Sequence, residues 1–142
     1  MEPTIVALHL SNQSRAPLRA VQQVEALFAC GLDGDRHAKP NSRRSVLLME
    51  QEVLDDLGLN PGDVREQVTV RGLELAKLNA GARLKVGTAV LELAGACLPC
   101  SRMDEIRSGL RSALDGRRGM FVHVVKTGSF GVGDSITVVP TA

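Results

Sequence analysis

The chain has no tryptophan, no tyrosine and only three phenylalanines. It is therefore not equipped to stack nucleic-acid bases on aromatic side chains. Charge of one sign is missing too. Seventeen Lys and Arg stand against 16 Asp and Glu, a formal +1, so neither nucleic acid nor an anionic membrane surface is an expected partner. No apolar run is long enough to span a bilayer. Residues Met1–Thr4 lack the charged-then-apolar order of a signal peptide. Cysteine is scarce and odd in number, at Cys30, Cys97 and Cys100, which argues against a disulfide framework and for reduced thiols. Together these absences lead to the expectation of a cytoplasmic protein. At 142 residues and 44% apolar, the chain can bury a real core. With no linker, repeat or low-complexity tract, a single domain over residues 1–142 is expected.

What is present is a succession of short β-type patterns. Thr4–Leu10 is aliphatic and β-branched. Val24, Ala26, Phe28 and Cys30 alternate within Val21–Cys30, which predicts a strand. Ser45–Met49, Glu66–Val70, Arg83–Val86, Ala89–Ala94, Gly119–Lys126 and Ser135–Val139 complete a set of about eight. Met120–Val125 is apolar on both faces, so it is expected to be central, and Pro140 stops the last strand. Gly128–Gly133 reads as a glycine-rich loop. Two helices interrupt the strands. One runs from Glu50 to Gly58. The other puts Met103, Ile106, Leu110, Ala113 and Leu114 on one buried face. Strands and helices do not alternate, which excludes a doubly wound parallel sheet. The fold class expected is mainly β, a barrel with two short helical insertions.

Two of the three cysteines fall where a strand pattern gives way to a helical one, at Cys97-Leu98-Pro99-Cys100-Ser101-Arg102. Ser101 with Asp104 reads as a helix start, so Cys100 is expected at its positive end beside Arg102, an environment that lowers a thiol's pKa. A thiolate there suits a soft metal or a sulfur atom. The C-x-P-C spacing also fits a thiol–disulfide pair, although that chemistry wants the motif after the first strand of a βαβ unit. A zinc site needs further ligands, which His37 and His123 supply only where folding brings them together. His123, in an apolar strand, reads as a core or barrel-lining side chain. His37 lies in the glycine-punctuated loop Gly31–Ala38 with Asp35 and Arg36 as neighbours. Arg43 and Arg44 open the next strand, where a guanidinium can clamp an anion bidentately.

Several of these stretches together resemble one family. They are Gly31-Leu32-Asp33-Gly34-Asp35-Arg36-His37-Ala38, Arg44–Leu48, Pro61-Gly62-Asp63 with Glu66 and Val68–Leu73, Leu78–Gly81 with Arg83–Gly87, Pro99–Asp104 and Gly131–Ile136. Their order and spacing are similar to those of a stand-alone MOSC domain, the module like the C-terminal domain of molybdenum cofactor sulfurase. The resemblance implies a β-barrel and a molybdenum–pterin cofactor. By the match it implies Cys100 as the molybdenum ligand of the molybdoenzyme branch, or as a persulfide carrier like the sulfurase branch. It implies Arg36, His37, Arg44, Glu66, Thr69 and Arg102 as cofactor-binding residues, and at family level an association with pyridoxal phosphate. Reduction of N-hydroxylated compounds, known in part of the family, would require electrons from a separate protein, because no flavin, nicotinamide or iron–sulfur signature is present. A sulfur-donor protein is the corresponding partner of the persulfide reading. One departure stands out: many relatives carry Gly-Glu-Asn where this chain has Arg65-Glu66-Gln67. The alternative reading is a non-catalytic module that holds a cofactor or anion.

Overall fold

A computed structural model describes residues 2–42 and 44–139. Arg43 and Pro140, expected at a strand mouth and a strand end, lie outside the described residues. The strands are β1 (Thr4–Leu10), β2 (Arg19–Val21), β3 (Gln23–Leu27), β4 (Gly31–Leu32), β5 (Val46–Glu50), β6 (Val68–Arg71), β7 (Arg83–Val86), β8 (Ala89–Ala96), β9 (Met120–Lys126), β10 (Gly128–Gly131) and β11 (Ile136–Val139). The helices are α1 (Gln51–Leu57), α2 (Ser101–Ile106) and α3 (Leu110–Ala113). Eight strands form one sheet in the order β11-β7-β8-β9-β5-β6-β1-β2, and β10-β3-β4 form a second. All pairings are antiparallel except β5 with β6. A parallel pair needs a crossover connection, and α1 lies in that connection.

The expected barrel is not a continuous closed ladder. Among the described residues, Thr4 of β1, the strand next to the β2 edge, meets Ser135, just before the β11 edge, only at an isolated bridge. Around it the Ile5 N–H donates to the Asp134 carbonyl at 2.9 Å and the Ile136 N–H to the Pro3 carbonyl at 2.8 Å. Three further expectations are corrected. Val21–Cys30 is not one strand: β3 ends at Leu27, Ala29 has φ 55°, and Phe28 is 63% exposed. Gly128–Gly133 is not all loop, because β10 pairs with β3. A Cβ on Gly128 would lie 2.3 Å from the backbone of Thr88, so close packing on the β7–β8 turn is the reason for that glycine. The second helix is broken into α2 and α3 at Gly109, which has φ 84°. Met103, Leu110 and Leu114 still pack together, whereas Ile106 is 38% exposed.

β5 shows how the sheet makes room for a site. It lies between β9 and β6 and is buried from Val46 to Met49. Side chains alternate in direction along a strand. Val46 and Leu48 enter the larger core with Leu8, Val68, Leu91 and Val122. Met49 faces the other way, into a smaller cluster with Leu54, Val64, Met103, Leu110 and Leu114. Leu47 shares that second face and is where the apolar packing gives way to a polar cleft. No helix among the described residues is long and apolar enough to cross a membrane.

Candidate functional site

The turn after β8 carries both thiols. The Cys97 N–H donates to the Gly119 carbonyl at 2.9 Å, which ties the turn to the start of β9. A Cβ on Gly119 would stand 2.3 Å from the Leu48 carbonyl, so only glycine lets β9 approach β5 this closely. Cys100 is the residue before α2, with extended backbone, and it is exposed. Met103, 1% exposed, anchors α2 to the smaller apolar cluster. The helix itself is six residues long. Asp104 accepts the Arg111 N–H at 3.0 Å instead of capping the helix start. Burial pushes the Cys97 thiol up, and Arg118 and Arg44 oppose that push.

Cys97 and Cys100 line a cleft of about 170 Å³ together with five guanidinium groups, those of Arg36, Arg44, Arg65, Arg102 and Arg118. Among the described residues no Asp or Glu lines it. Like charges are brought together only where something else holds them, and four of the five arginines have a tether of their own. Arg44 lies over the Phe121 ring at 4.8 Å, a cation–π contact. Arg36 Nε donates to Ser11 Oγ at 3.1 Å. Arg65 Nη1 donates to the Ala16 carbonyl at 2.6 Å, and Arg118 Nη2 to the Val64 carbonyl at 2.8 Å. Arg118 is 7% exposed, yet its Nε and Nη1 have no partner, and neither does the buried Nη2 of Arg65. A buried donor left unpaired costs about 1–3 kcal/mol. Arg65 also has φ 69°, a left-handed conformation that costs a non-glycine residue about 1 kcal/mol. Burial, then the charges of Arg102 and Arg36, pull its pKa down.

The polar wall of the cleft is a network around Asp35. Its Oδ1 accepts the Ser11 N–H at 2.7 Å, and its Oδ2 lies 3.2 Å from His37 Nδ1. Gln67 is 4% exposed and is the hub. Its amide nitrogen donates to the Ser45 carbonyl at 2.9 Å and to Asp35 Oδ2 at 3.2 Å. Its oxygen accepts the Leu47 N–H at 2.8 Å. Burial by itself would raise the Asp35 carboxyl. The hydrogen bonds from His37, Ser11 and Gln67, with the charge of His37, hold it below its ordinary value. With Nδ1 turned to Asp35, His37 has Nε2 left for a ligand, and its ring also lines the cleft.

The structure thus brings together Cys100, Arg36, His37, Arg44 and Arg102 from the sequence reading. Glu66 and Thr69 lie elsewhere. Both are fully buried and neither lines the cleft. Thr69 Oγ1 donates to Glu66 Oε2 at 2.8 Å. Burial pushes the Glu66 carboxyl up, against hydrogen bonds from Gly62 and Thr69 and the nearby charge of Arg118. Glu66 Oε1 has no hydrogen-bond partner. His123 is half-buried on β9, its Nδ1 3.4 Å from the Ser42 carbonyl, and it does not line the cleft. Among the described residues no group of three His, Cys, Asp or Glu is placed to hold a metal ion. Arg118 and the cleft-facing role of Arg65 escaped the sequence reading. Nothing local in Arg117-Arg118 says that Arg117 turns out to Asp56 at 2.7 Å while Arg118 turns in to the Val64 carbonyl.

The family model described as the MOSC domain matches residues 33–137. The chain belongs to the MOSC domain family. That family is associated with proteins of the molybdenum cofactor. The fold is similar to the crystal structure of the YuaD protein of Bacillus subtilis, at 19% identity and TM-score 0.82, over 100% of this chain and 98% of that one. It is also similar to YiiM of Geobacillus stearothermophilus, at 17% identity and TM-score 0.77, over 97% of this chain and 75% of that one. YiiM of Escherichia coli aligns at 16% identity and TM-score 0.73, over 98% and 71%. No curated protein sequence matches the chain. At these identities the solved structures establish the fold of the MOSC domain and nothing about its ligand.

Proposed function

We propose that this MOSC domain holds a phosphate-bearing molybdenum–pterin group in the cleft, with the Cys100 thiolate as the protein's ligand to the metal. The observation that carries the reading is the donor set: two thiols and five guanidiniums facing one space, with no carboxylate among the described lining residues. Guanidinium groups recognise phosphate bidentately, and thiolate is the soft ligand among protein side chains. The unpartnered nitrogens of the buried Arg118 fit an oxyanion. Arg36, Arg44, Arg102 and Arg118 would hold the anionic part, His37 Nε2 would serve as a further donor, and Gln67 and Asp35 fix the ring of His37. When bound, the group supplies two-electron redox chemistry. With an N-hydroxylated compound as the substrate, a separate electron-transfer protein supplies the electrons.

A second reading rests on Cys97, which lines the same cleft. Two thiols in one cationic cleft suit a sulfur carrier, with a persulfide on Cys100 loaded by a sulfur-donor protein. One experiment separates the readings. The chain is purified from a host that makes the pterin cofactor, and molybdenum and oxidised pterin are measured for wild type, Cys100→Ser and Cys97→Ser. The metal reading expects molybdenum and pterin in the wild type, loss of molybdenum in Cys100→Ser and retention in Cys97→Ser. Wild-type protein free of both, with a persulfide on Cys100 detected by mass spectrometry, supports the carrier instead. Protein free of both with an inert Cys100 leaves a non-catalytic anion-binding module.

A further inference from the structure

A second cavity, of about 360 Å³, shares Arg65 with the cleft and none of its other lining residues. Its size falls within the range of small-molecule sites, about 300–1,000 Å³. Separate stretches build it: β1 gives His9, the β1–β2 loop Leu18, the turn before β6 Pro61 to Arg65, and the end of α2 Ile106. Two contacts hold the loop. Arg65 Nη1 donates to the Ala16 carbonyl at 2.6 Å, and Arg15 Nη1 donates to Glu105 Oε1, next to Ile106, at 2.6 Å. Gly62 has φ 89°, and a Cβ there would stand 3.0 Å from His9 Nε2, so the glycine both makes the turn and leaves room for the imidazole. Leu18, Pro61 and Ile106 are the apolar wall. Ile106, whose helical spacing predicts burial in the core, lines this cavity instead. Asp63 and Arg65 line it too, with opposite charges, and form no ion pair with each other among the described residues. Asp63 Oδ2 accepts the Asn60 N–H at 2.8 Å, which leaves Oδ1 open. Arg65 Nη2 and His9 Nδ1 are buried without a partner. Burial pulls the His9 pKa down against the charge of Asp63, so the ring adds no charge near pH 7. An anion in this space would face Asp63, and a cation would face Arg65. A neutral group that both donates and accepts satisfies the two at once.

We propose that this cavity is a second binding site, for a small compound with an aliphatic body and a carboxamide head, the amide oxygen accepting from Arg65 and the amide nitrogen donating to Asp63. The site goes beyond the cofactor reading and does not rest on it, since the thiols and the other guanidiniums of the cleft take no part.

The probes are cyclohexanecarboxamide, cyclohexanecarboxylate and cyclohexylmethylammonium, which share one body and differ in the charge of the head. Each is titrated into the isotope-labelled full chain at neutral pH and followed by amide NMR. The carboxamide is expected to shift Gly62, Asp63, Arg65 and Ile106, to leave Cys97 and Cys100 in place, and to bind about fivefold or more tighter than either charged probe, because each of those meets a like charge. In Asp63→Asn, which keeps an acceptor for the Asn60 N–H, the carboxylate is expected to bind at least as tightly as the carboxamide. Ile106→Ala, away from both charges, is expected to weaken all three probes about threefold without changing their order, and it carries the test where the Asp63 variant fails to fold. No shift at these residues up to the solubility of the carboxamide, shifts centred on Cys97 to Met103 instead, or a charged probe bound as tightly as the neutral one by wild type overturns the site. So does an unchanged order in a folded Asp63→Asn protein, or unchanged affinity in Ile106→Ala. Molybdenum loading is read at the cleft, so failure of either site leaves the other standing.

Discussion

Gln67→Leu tests whether the polar wall of the cleft is held by one amide. The substitution keeps the volume and removes three hydrogen bonds. The Leu47 N–H, 2.8 Å from the Gln67 oxygen, loses an acceptor, and the Ser45 carbonyl, 2.9 Å from its nitrogen, loses a donor. Asp35 Oδ2 loses a donor at 3.2 Å. Leu47, Ser45 and Asp35 are each 5% exposed or less, so water does not replace what is lost. Two backbone groups at about 1 kcal/mol each and one bond to a charged group at about 1.5–3 kcal/mol give a loss of about 4 kcal/mol. The leucine returns about 1 kcal/mol through apolar burial. A net loss of about 3 kcal/mol is a large part of the stability of a domain this size, and it lowers Tm by about 10 °C. Thermal unfolding followed by circular dichroism at neutral pH measures it. A fall of less than about 3 °C would refute the reasoning, since Gln67 would then be one contact among many. The same variant should also lose less stability on acidification than wild type, because Asp35 is less strongly held in its charged form.

Asp35→Asn isolates that last effect. The folded pKa of Asp35 is depressed, so its contribution is present above the unfolded value and is lost as pH falls through the folded one, below about pH 4. Urea unfolding from pH 7 down to pH 3 should show a flatter acid limb in the variant, and identical limbs would contradict the assignment. Alkylation of the native protein at pH 8, read by peptide mass spectrometry, should modify Cys100 about tenfold faster than Cys97, because Cys100 is exposed whereas burial both covers the Cys97 thiol and raises its pKa. Faster modification of Cys97 would assign the reactive thiol to the wrong residue.

Local pattern by itself determined the strands of this MOSC domain where a side chain's neighbours along the chain settle its fate. Thr4–Leu10 and the Arg83–Val86 hairpin with the strand from Ala89 follow from β-branched alternation and a Gly87 turn. The doubly apolar Met120–Lys126 strand lies inside the sheet as its composition requires. Cys100 at the strand-to-helix turn, and the turn residues Asp33–Ala38 with Arg36 and His37, were legible for the same reason, turn chemistry being local, whereas Gly31 and Leu32, expected in that loop, form β4 by pairing with the distant β3. Tertiary structure decided what local pattern leaves free. Gly109 broke a helix whose apolar spacing was continuous, because three of its large apolar side chains still reached one cluster across the break. Gly128 became part of a strand because the Thr88 backbone leaves no room for a Cβ. The direction of Arg118 and the burial of Glu66 depend on Val64, Gly62 and Thr69, remote from Arg118 in the chain and adjacent only after folding. The convergence of five guanidiniums has the same origin. They come from five separate stretches of a chain with net charge +1, and only the packing of the sheet against its helices sorts that neutral average into a cationic cleft.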